Sequence, residues 1–249
     1  VLVDLATGLY DVGLLGKISS IHIPGLGIVD VKADLKVVPA GPGQGARIAG
    51  RGQAWVRKWE NDFLAGLAGG LPVIETDLTR GADGALIFTN ARLKAPALTL
   101  SGQGVRRRDG SFHIEGSGTQ RQYGPFTLKL DGRIERPKLE IVLARPAAAL
   151  GLANVTLQLD PLPSGYGWQA QGQSMLGPFT GQGSISLPRG GPVVIDIERL
   201  AASGMVARGQ IEPRGGALAG RVALAGGGVD GVLTLSPQRG LQLIDANVK

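Results

Sequence analysis

An all-β chain organised around a long antiparallel sheet is what the sequence predicts, and three observations predict it. From residue 71 onward, short apolar runs punctuated by Gly, Pro, Asn and Asp follow one another, mostly without the intervening helices that a parallel βαβ arrangement needs. Within the runs, apolar and polar residues alternate with the period of two that sends successive side chains to opposite faces of a sheet. Asp83-Gly84, Asp109-Gly110 and Asp131-Gly132 suit turns or bulges that require a positive φ.

Residues 1–53 read as short strands around Ile21–Ile23, Ile28–Val31 and Leu35–Val38, separated by turn residues and the Gly41-Pro42-Gly43 loop. From Val29 to Val37 the alternation is strict, with apolar residues at odd positions and charged residues at even ones, so one face is wet and the other dry. Residues 54–70 change period. Trp55, Trp59, Phe63 and Leu67 recur every four residues, which predicts an amphipathic helix ending at Gly69-Gly70 and Pro72 and docked on the sheet. Residues 71–249 form a repeated strand region. Its expected strands are 73–78, 85–93, 97–103, 111–117, 126–135, 138–143, 154–159, 167–173, 180–187, 193–199, 205–212, 218–224, 229–235 and 241–244, with a short helical turn at 146–152.

A repeat underlies part of this region. Gly-Pro-Phe-Thr at residues 124–127 returns at 177–180, and Gly-x-Ile-x-x-Pro at 132–137 returns at 183–188. The second offset is two residues shorter than the first (183 − 132 = 51 against 177 − 124 = 53). A change of two residues leaves every side chain on its own face. Parity then picks out one aliphatic surface: Phe126, Leu128 and Leu130; Leu139, Ile141 and Leu143; Val155, Leu157 and Leu159; Ile185 and Leu187; Val193, Ile195 and Ile197. A second sheet, a partner or lipid must cover such a surface. The pattern alone favours a closed sandwich or barrel.

Composition narrows the chemistry. The chain has no Cys, which excludes disulfides and thiolate metal sites, and its 41 Gly with 4% aromatics describe many bends and few bulky side chains. His22 and His113 stand far apart and outside any metal-ligand spacing, and no metal site is expected. Glu75 with Asp77, and Asp196 with Glu198, read as solvated outer-face residues. The loose Gly102-Gln103-Gly104 and Gly181-Gln182-Gly183 lack the helix that a dinucleotide fingerprint requires. No catalytic residue and no cofactor are expected, so the chain reads as a non-enzyme. A net charge of +6 permits contact with anionic surfaces, and Arg106-Arg107-Arg108 is the candidate for headgroup contact. That run lacks interleaved aromatics, which argues against nucleic acid. The sequence opens on Val-Leu-Val and shows no leader or spanning helix, so any membrane anchor is expected outside this segment.

Several short motifs, in their order along the chain, carry a family resemblance. They are Asn61-Asp62-Phe63-Leu64 running into Gly69-Gly70-Leu71-Pro72, Gly104 to Gly110, Tyr123-Gly124-Pro125-Phe126, Arg145-Pro146 with Ala149 to Leu152, and Leu176-Gly177-Pro178-Phe179. Through them residues 61–240 resemble the C-terminal part of the translocation and assembly module subunit TamB family, within the AsmA-like superfamily. The resemblance implies a taco-like, groove-shaped β-structure with an aliphatic interior, anchored to the inner membrane and standing in the periplasm of Gram-negative bacteria. It also implies two roles. One is phospholipid transport between inner and outer membranes, with acyl chains lying along the aliphatic residues named above. The other is a chaperone or scaffold role in assembling outer-membrane β-barrel proteins, with barrel precursors or a BamA-type protein as partner.

Overall fold

A computed structural model of the chain describes residues 2–3, 10–23, 26–38, 47–60, 62–81, 83–133, 136–146, 151–188, 191–214, 217–238 and 241–249. The chain divides into two compact units, Val1–Pro137 and Lys138–Lys249. The first holds β1 (Leu2–Val3), β2 (Tyr10–Ile23), β3 (Gly27–Val38), β4 (Arg47–Trp59), α1 (Asp62–Ala68), β5 (Val73–Arg80), β6 (Leu86–Lys94), β7 (Leu98–Arg106), β8 (Phe112–Gln120) and β9 (Gly124–Gly132). The second holds β10 (Lys138–Leu143), β11 (Ala153–Leu162), β12 (Gly165–Ser174), β13 (Gly177–Ser186), β14 (Val194–Ala202), β15 (Met205–Arg214), β16 (Ala217–Gly226), β17 (Val229–Gln238) and β18 (Leu241–Val248). Within each unit, every strand pairs antiparallel with the next in sequence. The all-β antiparallel reading therefore holds, and each strand expected after residue 71 overlaps one from β5 to β18.

The expected curl is absent. Each unit is an open, largely flat meander, not a taco-like groove with an aliphatic interior, and strand contacts run chiefly between sequence neighbours. Among the described residues, the buried hydrophobics are Val29, Val56, Ala68, Val155, Ala207 and Val222, too few to form a continuous interior. The physical reason lies in the rows across the sheet. In the first unit, Leu100 pairs with Gly118 and Gly118 with Phe126, while Gly102 pairs with Gly116 and Gly116 with Leu128. A face in which glycines alternate with large side chains has little apolar area to gain by folding over on itself.

Helix α1 is shorter than the expected helix over 54–70, because β4 runs on through Trp59. A spacing of four is close to one helical turn and is also two full strand periods, so it cannot tell helix from strand, and a bulge at Arg57 then puts Trp55 opposite Asp30 and Trp59 opposite Gly27. Only the second half of that segment is helical. It ends at Gly69, whose φ of 66° puts it in the left-handed region, with its N–H donating to Ala65 O at 2.9 Å. The helix closes one end of the first unit: Ala97 N–H donates to Ala68 O at 2.8 Å, and the buried Gln120 donates from Nε2 to Leu67 O at 3.2 Å. Trp59 Nε1 donates to Gly70 O, and Val56 N–H donates to Pro72 O. Val56, Ala68 and Pro72 are buried there.

The expected helical turn at 146–152 lies largely outside the described residues, as do the Gly41-Pro42-Gly43 loop and Ile134 of the repeat. The repeat's opening glycines, Gly124 and Gly177, begin β9 and β13 with positive φ. The two-residue difference does not shorten the second copy's strand, since β13 spans 10 residues and β9 spans 9.

Candidate functional site: a half-exposed aliphatic face and a terminal strand

Strand pairing assembles the predicted aliphatic residues into rows. In the second unit Leu139 stands opposite Leu159, Ile141 opposite Leu157 and Leu143 opposite Val155. The first row continues through Trp168 and Gly183 to Ile197, and Ile185 stands opposite Ile195. In the first unit Phe126, Leu128 and Leu130 lie opposite Gly118, Gly116 and Ile114. Val155 is buried; the other predicted residues are half-buried. Leu187 and Val193 fall just outside β13 and β14. Within each unit these residues line a flat sheet and not a conduit, so the lipid-carrying reading is overturned by the geometry.

Trp168 belongs to this face and escaped the sequence reading. Its indole Nε1 donates to Asp196 O at 3.0 Å, and its ring lies across Gly181 and Gly183. A Cβ at Gly183 would stand 1.9 Å from Asp196 O and 2.9 Å from Trp168 Nε1. The Gly181-Gln182-Gly183 motif is therefore a seat for a tryptophan on the neighbouring strand. A lone Trp opposite a Gly-x-Gly was the signal available in sequence.

The three consecutive arginines separate. Arg106, at the end of β7, has its guanidinium 5.9 Å from the centre of the Phe112 ring. Arg107 turns to the polar face, where its Nη1 and Nη2 donate to Asp131 at 3.3 and 3.4 Å and His113 Nδ1 lies 2.8 Å from Asp131 Oδ2. These contacts, Arg107 first, hold the Asp131 carboxyl below the usual aspartate range. Arg108 is exposed in the β7–β8 turn, where Asp109 accepts from the Ser111 hydroxyl and N–H. The run is thus not one continuous cationic patch.

The carboxylate pairs sit in polar-face networks. Glu75 accepts from Gln53 at 3.0 Å, Asp77 accepts from Asn90 at 2.9 Å, and Gln182 donates to Glu198 at 3.3 Å. No group of His, Asp and Glu suited to a metal ion occurs among the described residues. No described helix is long and apolar enough to cross a membrane.

Strands β2, near the start of the first unit, and β18, at the end of the second, differ. In β2 the register shifts between Ile18 and Ile21, and Ser20 adopts φ 60°. Ser20 N–H donates to Asp30 Oδ1 at 2.9 Å, and Arg57 Nε donates to Asp30 Oδ2 at 2.8 Å, so a buried carboxylate fastens the bulge. Strand β18 is instead tied at one end by Gln242, whose side chain accepts from Leu218 N–H at 2.7 Å and donates to Leu218 O at 3.0 Å, reaching β16 across β17. Its register with β17 is unbroken from Gly231↔Val248 to Gln238↔Leu241, and its residues from Gln242 onward are exposed. Leu243, Ile244 and Val248 are 47%, 59% and 45% exposed.

No protein family, curated protein or solved structure matches this chain. The fold is an unassigned all-β fold, and assignment to TamB or the AsmA-like proteins, with the β-taco and lipid-transport character that goes with it, finds no support in these comparisons.

Proposed function

We propose that this chain is a non-catalytic protein-binding scaffold that assists the assembly of outer-membrane β-barrel proteins by accepting a client strand. The observation that supports it is β18, the last strand of the second unit's meander, which pairs within that unit on one side only, with β17. A strand edge presents a row of main-chain donors and acceptors, and another extended main chain satisfies them. Ile244 pairs with Leu235, Ala246 with Leu233 and Val248 with Gly231, so the side chains of β18 extend the aliphatic rows of β17. A strand added there buries apolar residues on one face and leaves polar ones on the other. Barrel strands have that alternation and a length of about ten residues, while β18 spans 8. The short motifs between residues 61 and 240 supply the compartment of this reading, the periplasm, and a BamA-type protein as the neighbouring partner.

The test places a photo-crosslinking residue at Ile244 and mixes the chain with a urea-diluted outer-membrane barrel precursor. Crosslinking to the precursor is expected at Ile244, with loss when Leu243→Lys is added beside it, because a lysine on an edge opposes pairing. Absence of a crosslink, or one unaffected by Leu243→Lys, sinks the scaffold reading.

A further inference from the structure

One cavity in the first unit combines an apolar floor with cationic walls. It has a volume of about 270 Å³ and is lined by Leu35, Ile48, Leu78, Gly84, Leu86, Arg80 and Arg106. The strand registers explain how it forms. One row across the sheet reads Ile48, Arg80, Leu86, Arg106 and Phe112, so two arginines alternate with apolar side chains at the end of an otherwise aliphatic face. The adjoining row reads Leu35, Gly50, Leu78 and Phe88, and Gly50 contributes no side chain between the two leucines. A third cation is close by: a Cβ on Gly84 would lie 3.9 Å from Arg80 Nη2 and 3.3 Å from Arg108 Nε.

The charges are not consumed locally. No described carboxylate pairs with Arg80 or Arg106, and the one ring contact there, Arg106 over Phe112, keeps that guanidinium above the apolar face. The nearby Asp83 accepts from Ala85 N–H at 3.1 Å, which closes the turn on itself. Guanidinium pairs bind carboxylates with directed, charge-assisted hydrogen bonds. The ligand must therefore carry an anion directly beside an apolar body.

Size decides which anion. A cavity of 270 Å³ falls below the range of about 300–1,000 Å³ that accommodates a drug-sized molecule. That space accommodates one large side chain with its carboxylate. In a polypeptide, Asp and Glu carry the charge without the apolar body. Only the last residue carries both.

We infer that this cavity captures the C-terminal residue of a client chain, an apolar residue whose α-carboxylate sits between Arg80 and Arg106. The inference rests on the scaffold reading, to which it adds a fixed point of recognition away from β18. Binding to the full chain is measured by fluorescence anisotropy with a short dye-labelled peptide ending in phenylalanine, as free acid and as amide. The free acid is expected to bind about tenfold more tightly, the worth of one good charge-assisted contact. Arg80→Gln and Arg106→Gln should each erase that preference, while Arg199→Gln in the second unit leaves it intact. Equal binding of acid and amide, or a preference surviving both arginine changes, overturns the inference. So does direct binding of phenylpropionate, read by calorimetry, when the peptide itself does not bind, which marks a small-molecule site. Repeating the Ile244 crosslink with a precursor whose terminus is amidated separates the two readings. Capture at Ile244 without any acid preference defeats this inference alone, and acid preference without capture defeats the scaffold alone.

Discussion

The first unit is fastened at an end by a helix and at a strand bulge by a buried carboxylate, whereas the second is held by strand pairing and by the side chains of Trp168 and Gln242. In the first, α1 caps the ends of β4, β7 and β8 through Ala68, Gln120 and Pro72, and Asp30 ties down the β2 bulge. In the second, Trp168 on Gly181 and Gly183 and the Gln242 side chain on the Leu218 backbone fix neighbouring strands beyond the ladder itself, and β18 is the last strand of the unit's meander. An open single-layer sheet buries little apolar surface, so such local fastenings carry a large share of its stability. The difference teaches where stability and where reactivity toward partners reside.

Breaking the helix cap is the largest effect expected. Ala68 is 2% exposed, so Ala68→Asp buries an unpaired carboxylate against Ala97 and should cost more than about 3 kcal/mol. Hydrogen exchange should accelerate across β4, β7 and β8, with β12 to β17 unchanged. Uniform acceleration through both units would show that the cap does not act locally. Next in size is Gly183→Ala, whose added methyl meets Asp196 O and displaces the Trp168 indole. Overpacking of this kind costs about 1–3 kcal/mol. The indole fluorescence of the second unit, which holds Trp168 alone, should shift toward that of an exposed tryptophan. An unmoved emission maximum would mean that the Gly183 seat is dispensable.

Much of the strand layout was legible, because period-two alternation and Gly punctuation are local signals. Phe126, Leu128 and Leu130 do share a face, as do Leu139 and Ile141. What alternation cannot encode is whether such a face curls, since parity is identical in a flat sheet and a groove. That information lies in what stands opposite each residue. The glycines opposite Phe126 and Leu128 become visible only once register is known. Trp55 and Trp59 misled because a spacing of four satisfies both helix and strand. The Arg80 and Arg106 cavity was invisible for a related reason: its arginines are 26 residues apart (106 − 80 = 26), and only two successive registers through Leu86 bring them together.

Acidity sharpens the contrast between the units at the small end of the scale. Asp30 accepts the Ser20 N–H and the Arg57 guanidinium, which lower its pKa below the ordinary 3.8. Its folded pKa being depressed, the clip's stabilisation is complete above 3.8 and disappears as pH falls through the lower folded value. Asp30→Asn should therefore flatten part of the acid limb of the first unit's stability, read as urea midpoints against pH. In the second unit the corresponding group is Lys138, whose pKa is raised by its hydrogen bond to Asp160 at 2.7 Å. The sign reverses: this stabilisation is complete below 10.5 and is lost as pH rises through the higher folded value. The pair is exposed and screened by salt, so Lys138→Gln should change the alkaline limb least of all. A Lys138→Gln effect as large as that of Asp30→Asn would remove the distinction between a unit fastened at a strand bulge by a buried carboxylate and one without such a carboxylate.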